Sequence, residues 1–316
     1  MTKERMKRST ASETTGTTPK LTRPVSLLIC LASYLVAGVA AVAVWWLAPG
    51  GSPVWIAAFA DLAGTVVVFA FSVALNNSSV YDPYWSVAPF PIGVYWLVRL
   101  GAGLGPRQVV LLALVLAWAV RLTYNWLRRW RGLADEDWRY AEYRRFGAAY
   151  WPISFLGFHL FPTVIVFLGC LSVVPVLSEG SSAIGILDLA ALVLTAGAIL
   201  IESAADRQLR RFLTSARKPG DILDTGLWSF TRHPNYFGEV TFWWGVYLFG
   251  LAANPAWWWT IAGPVAVTAL FLGVSVPMMD RRMLARHPGY AAHMASRSAF
   301  LPWPQGSSGQ ANRKGA

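Results

Sequence analysis

The polar and apolar positions of this chain do not alternate. They fall into long blocks. Eight blocks, at about 26–48, 54–75, 86–100, 107–127, 153–177, 184–204, 236–252 and 256–277, are apolar around every face of a helix. A bilayer core of about 30 Å takes roughly 20 such residues per helix. The pattern therefore predicts an all-α polytopic membrane bundle of seven to eight transmembrane helices. The third block is short and ends in Arg99, so a tilted or re-entrant segment would reduce eight to seven. Only "AANP" separates the last two, which predicts a tight helical hairpin.

Composition agrees with the blocks. Of 316 residues, 55% are hydrophobic and 14% are charged, where a soluble domain has about a quarter charged. The net charge of +11 is topology signal, not a nucleic-acid footprint, because the basic residues sit between apolar blocks. The N-terminal tail, the 128–152 loop, the 205–235 loop and the C-terminal tail hold six Lys/Arg each. The alternate loops near 49–53, 101–106, 178–183 and 253–255 hold none. With eight spans, every basic segment falls on one side, and the positive-inside rule places both termini and the Arg-rich loops in the cytoplasm. Residues 1–24 and 303–316 read as flexible tails around one membrane-embedded domain, 25–302. Cys30 and Cys170 lie inside apolar blocks, which disfavours disulfides and thiolate metal sites. The four histidines show no ligand spacing, and no metal is expected.

Ionisable residues inside spans are costly and face a partner or a cavity. In "WAVRLTYNWLRRWRG", Trp118, Arg121, Asn125 and Arg128 share one helix face. Guanidiniums so clustered suit a phosphate, which they bind bidentately, or else they snorkel to headgroups. In "ESAADRQLRRFLTSARKPGD", Glu202 and Asp206 stack one turn apart. They are expected either to pair with the arginines of the fourth span or to accept ligand hydroxyls, and Arg217, Lys218, Pro219 and Gly220 make a basic turn after them. "TRHPNYFGE" brings Arg232, His233, Asn235, Tyr236 and Glu239 to a helix start marked by Pro234. A helix start also offers free N–H groups to an anion. "NNSSVYDPYWSVAP" carries Tyr81, Asp82 and Tyr84, possible proton donors or carbonyl-polarising groups. Asp61 and Asp188 stand as isolated acids near outer span ends. The basic and polar helix ends predict a cytosol-facing pocket for a phosphorylated cofactor, open to an apolar substrate from the bilayer. Residue types alone do not separate reduction from methyl transfer.

"DTGLWSFTRHPNYFGE", an apolar hairpin with "NP", and "GYAAHMASRSAFLP" resemble the steroid 5-alpha-reductase superfamily. "VYDPYWSVAP", "EDWRY" and "ESAADRQLRRF" look like its bacterial branch of multispanning proteins carrying a domain of unknown function. The resemblance covers roughly 50–302. It implies a bacterial-type plasma-membrane oxidoreductase that uses NADPH to reduce an enone-type double bond in a steroid-like, polyprenoid or other lipid. It implies a cofactor shell of Arg121, Asp206, Arg217, Lys218, Arg232, His233, Asn235, Tyr236, Glu239, Arg281, Arg282 and Tyr290. It makes Asp82 the catalytic acid and Tyr84 the candidate phenol, since Trp118 stands where the steroid enzymes carry their tyrosine.

Isoprenylcysteine carboxyl methyltransferases and phospholipid methyltransferases share an Arg-His-Pro-x-Tyr segment, and they bind S-adenosylmethionine. They usually carry a Glu-Glu pair where this chain reads "MMDRRML". S-adenosylmethionine has no phosphate, so the basic residues favour NADPH. A non-enzymatic lipid-binding protein is the third reading, and it would not need a polar site confined to one side.

Overall fold

The computed structural model describes residues 21–101, 103–179, 183–216, 218 and 220–303. Most of the two expected tails, together with Arg217 and Pro219, lies outside the described residues. The chain runs through α1 (Arg23–Leu47), α2 (Pro53–Ala74), α3 (Pro89–Leu100), α4 (Pro106–Arg129) and α5 (Trp138–Ser178). It continues through α6 (Ile186–Thr214), α7 (Pro234–Ala253), α8 (Pro255–Arg286) and α9 (Tyr290–Ser296). Proline occupies the first turn of α1, α2, α3, α4, α7 and α8. Its missing N–H is one the first turn leaves unbonded anyway. No strand forms among the described residues; Thr231 and Ser298 make an isolated bridge.

Six helices, α1, α2, α4, α5, α6 and α8, are long and apolar enough to cross a membrane. The chain is an integral membrane protein. The third apolar block breaks at Ala88–Pro89 into Tyr84–Val87 and the 12-residue α3. At 1.5 Å per residue α3 spans about 18 Å, well short of a bilayer core. The seventh block forms the 20-residue α7. It has the length of a span, but Trp, Tyr, Asn and Glu residues lower its apolarity, and the bundle buries much of it. Local departures mark α5 and α8, where π-turns occupy Ser154–Leu160 and Phe271–Ser275.

Small residues set the closest packing. On α1 the buried positions are Ser26, Cys30, Ser33 and Ala37, a small-residue stripe against α2. The opposite face exposes Leu28, Leu31, Leu35 and Val39, as a lipid-facing helix should. Gly238 and Gly245, two turns apart on α7, let that helix lie against α6. A Cβ at Gly238 would overlap the Glu202 side chain, and one at Gly245 would overlap Thr195. This close approach carries the polar start of α7 onto the polar end of α6.

Candidate functional site

Two clusters form at the Arg-rich end of the bundle. The first joins α4, α6 and α7. Arg121 Nη1 donates to Asp206 Oδ2 at 2.8 Å, and its Nη2 donates to Glu202. Nη2 also lies 3.9 Å from Glu239 Oε2. Asn125, one turn along α4, donates to Asp206 at 2.7 Å. Glu239 accepts the indole N–H of Trp118 at 3.1 Å and of Trp243 at 3.0 Å. Trp118 is fully buried and stacks on Phe242 at 4.8 Å. Three buried or half-buried acids thus meet one guanidinium. Arg121 Nε has no hydrogen-bond partner, and neither has Asn235 Oδ1, one turn before Glu239 on α7.

The second cluster joins the start of α7 to the end of α8 and to α9. Asp280 accepts from Arg232 Nη2 at 2.7 Å and from the Tyr290 hydroxyl at 2.7 Å. His233 Nε2 lies 3.0 Å from the same carboxylate. Arg232 Nη1 also donates to the Met294 and Arg297 carbonyls, at 3.1 and 2.8 Å. His233 stacks on Tyr236 at 5.1 Å. The opening string of α7 therefore divides. Arg232 and His233 gather on Asp280 with Tyr290 of α9, while Glu239 joins the Arg121 cluster. Asp280 carried no expected role; a lone acid followed by Arg281 and Arg282 was its only signal in the sequence.

Asp82 and Tyr84 are not brought together. Tyr84 turns inward, and its hydroxyl donates to the Asp61 carboxylate and carbonyl, both at 3.0 Å. Asp82 instead accepts from the Tyr140 hydroxyl and lies 3.7 Å from Arg139 Nη2. Burial pushes the Asp82 carboxyl up to about 6, against the pull of Arg139 and Tyr140. Neighbouring Asp137 goes the other way: burial raises it, but Arg139 outweighs burial and holds it low. Tyr140 sits in the "EDWRY" string, its only trace in the sequence. Arg129 lies close enough for its charge to act on both Asp82 and Asp206.

The isolation expected for Asp61 and Asp188 is corrected. Asp61 holds Tyr84, and Asp188 pairs with Arg107 at 2.6 and 2.8 Å. Of the remaining cofactor-shell residues, Lys218 and Arg281 are exposed, and Arg282 lies 3.8 Å over the Trp138 ring. A groove of about 310 Å³ lies at the end of α6, lined by Gln208, Arg211, Phe212, Ser215, Leu223 and Thr225.

A family model described as "Protein of unknown function (DUF1295)" matches residues 68–296. An uncharacterized protein of Schizosaccharomyces pombe is 26% identical over 268 residues, covering 76% of this chain and 77% of its own. No solved structure matches the chain.

Proposed function

The chain belongs to the DUF1295 family, and on that premise we propose that it is a membrane oxidoreductase that reduces an enone-type carbon–carbon double bond in a lipid, using NADPH. One observation carries the reading. The motif positions Arg121, Asp206 and Glu239, on three different helices, converge in one buried hydrogen-bonded cluster. Asn235 lies one turn before Glu239 on the same helix, with its Oδ1 unpartnered. The arrangement fits a nicotinamide end, whose carboxamide offers both donor and acceptor to such atoms. NADPH, when bound, would supply the hydride.

The chain's own residues would do the rest. Arg121 is held by Glu202 and Asp206, so in this reading it orients acids. The phosphates then fall to Lys218, Arg281, Arg282 and Arg217. Asp82 would hold the proton for the other end of the double bond, because a carboxyl with its pKa near 6 keeps part of its proton near neutrality. Tyr140, donating to Asp82, would orient that carboxyl, and Tyr84 remains the alternative phenol. We place the Arg-rich end and both termini in the cytoplasm on the charge alternation of the loops, which takes eight crossings, with α7 and the segment from Tyr84 to the end of α3 adding to the six long helices. The substrate would enter from the bilayer.

One observation favours the second reading, S-adenosylmethionine-dependent methyl transfer: the acids around Arg121 outnumber its charge. Thermal unfolding of the detergent-purified protein with NADPH, NADH and S-adenosylmethionine side by side decides between the two, since a ligand of the folded state raises the midpoint with concentration. A rise with NADPH is expected. A rise with S-adenosylmethionine alone overturns the reductase reading.

A further inference from the structure

Reducing an enone asks two things of the protein besides holding the hydride donor: a proton, and a group that takes up negative charge at the carbonyl oxygen. Asp82 answers for the first. The second has no owner among the expected residues. Trp118 stands where the resemblance puts a phenol, and it spends its N–H on Glu239. Tyr84 turns away and donates to Asp61. Tyr140 donates to Asp82 itself. Arg139, in the first turn of α5, is different. Its Nε donates to Asp137 Oδ1 at 2.8 Å, its side chain's only hydrogen bond among the described residues. Nη2 lies 3.7 Å from Asp82 Oδ1, too far for a hydrogen bond. The guanidinium therefore stands beside the acid with its outer N–H groups uncommitted and its side chain 41% exposed.

Its neighbours hold it in place. Asp137 caps α5, accepting the Arg139 backbone N–H at 2.9 Å as well as Nε. Arg282 of α8 lies 3.8 Å over the adjacent Trp138 ring, and Tyr140 packs on Phe158 at 5.0 Å. The Arg139 charge reaches Asp82 on one side and Tyr236, at the start of α7, on the other. Arg139 thus lies between the proton donor and the helix start that the reductase reading gives to the nicotinamide. We propose that Arg139 binds the carbonyl oxygen of the substrate and stabilises its enolate. The proposal rests on the reductase reading, and it makes the substrate a carbonyl-conjugated alkene, not an isolated one. As the β-carbon accepts hydride from the cofactor, the π electrons move onto the oxygen held by Arg139. The α-carbon then takes the Asp82 proton, and the carbonyl re-forms. Water returns a proton to the Asp82 carboxylate. A guanidinium suits the task because it keeps its charge beside a proton donor and offers its N–H groups in a fixed fork.

The test uses para-nitrophenolate, which mimics the enolate oxygen, and nitrobenzene, which has nearly the same shape without it. Both are titrated against the full-length protein in detergent carrying Asp82→Asn, which keeps the neighbouring side chain neutral as a protonated acid is. Dissociation constants come from the concentration dependence of the unfolding midpoint. The phenolate is expected to bind about tenfold tighter than nitrobenzene, a difference of about 1.4 kcal/mol. Adding Arg139→Gln should bring that ratio near one, and Arg139→Lys, which keeps the charge, should retain part of it. A purely structural role for Arg139 would leave the ratio unmoved. A ratio near one before Arg139 is changed, a ratio unchanged in both variants, or binding of neither probe overturns the oxyanion role, and the first of these needs no Arg139 variant to fold. A ratio near one in a protein that NADPH stabilises would remove Arg139 and leave the reductase reading standing. A preference that depends on Arg139, in a protein that NADPH does not stabilise, would sink the reductase reading and uphold the oxyanion site.

Discussion

The Asp280 and Arg121 clusters are built from the same materials and arranged in opposite ways. Around Asp280, one acid receives an arginine, a tyrosine and a histidine, and the arginine's remaining N–H groups cap the Met294 and Arg297 carbonyls. Around Arg121, one base meets three acids, and a donor is left over. A buried polar network with each member paired rigidifies a fold. One with unpartnered atoms is destabilised relative to what a ligand could make of it. The motif string that opens α7 thus serves two purposes. Its first two polar residues fasten α7 to α8 and α9, and Glu239 joins the Arg121 cluster.

Substitutions should separate the two clusters by sign as well as size. Asp280→Ala should be the most damaging, because it strands the buried Arg232; a loss of about 3–5 kcal/mol would appear as a lower unfolding midpoint and poor yield in detergent. An unchanged midpoint would remove the fastening role. Gly238→Ala should cost about 1–3 kcal/mol, since its Cβ overlaps Glu202. It should also weaken cofactor binding, which titration of the midpoint would read. Glu202→Gln should stay within about 1 kcal/mol of the native protein, or stabilise it, because it removes one charge from an acid-rich cluster. A loss as large as that of Asp280→Ala would make the two clusters equivalent and end the comparison.

A further effect concerns pH. The folded Asp82 carboxyl titrates near 6 because burial disfavours its charge, against an ordinary value of 3.8. Between those values the folded protein holds more proton than the unfolded chain, so stability falls as pH rises through 6. Asp82→Asn should therefore unfold at a higher midpoint than the native chain at pH 7 to 8, and the gap should close towards pH 4. Parallel curves for the two proteins would place Asp82 in a solvated environment.

Much of this was legible along the chain. The site residues expected on α4, α6 and α7 do gather at one end, because one-turn spacing and helix position are local properties. Arg121, Glu202 and Glu239 could each be picked out as ionisable residues in apolar blocks, and Asp206 as the acid one turn beyond Glu202. Their partners were less legible. Asp280 and Tyr140 sit in stretches rich in charge or aromatics, where a single acid or phenol does not stand out. Tyr84 stood two residues from Asp82 in sequence, yet the turn at Pro83 sends the two side chains to different partners.

By itself, then, the sequence determined the membrane-spanning class, the helix starts set by proline, and the face on which each polar residue lies. Those follow from hydrophobic periodicity and backbone sterics, which act over a few residues. The tertiary structure decided which faces meet. It packed α7 against α6 at two glycines, and gave Arg121 three acids while Asp280 took Arg232, His233 and Tyr290. Those pairings join residues far apart in the chain, and their strength depends on how helices pack and exclude water, which no local pattern encodes.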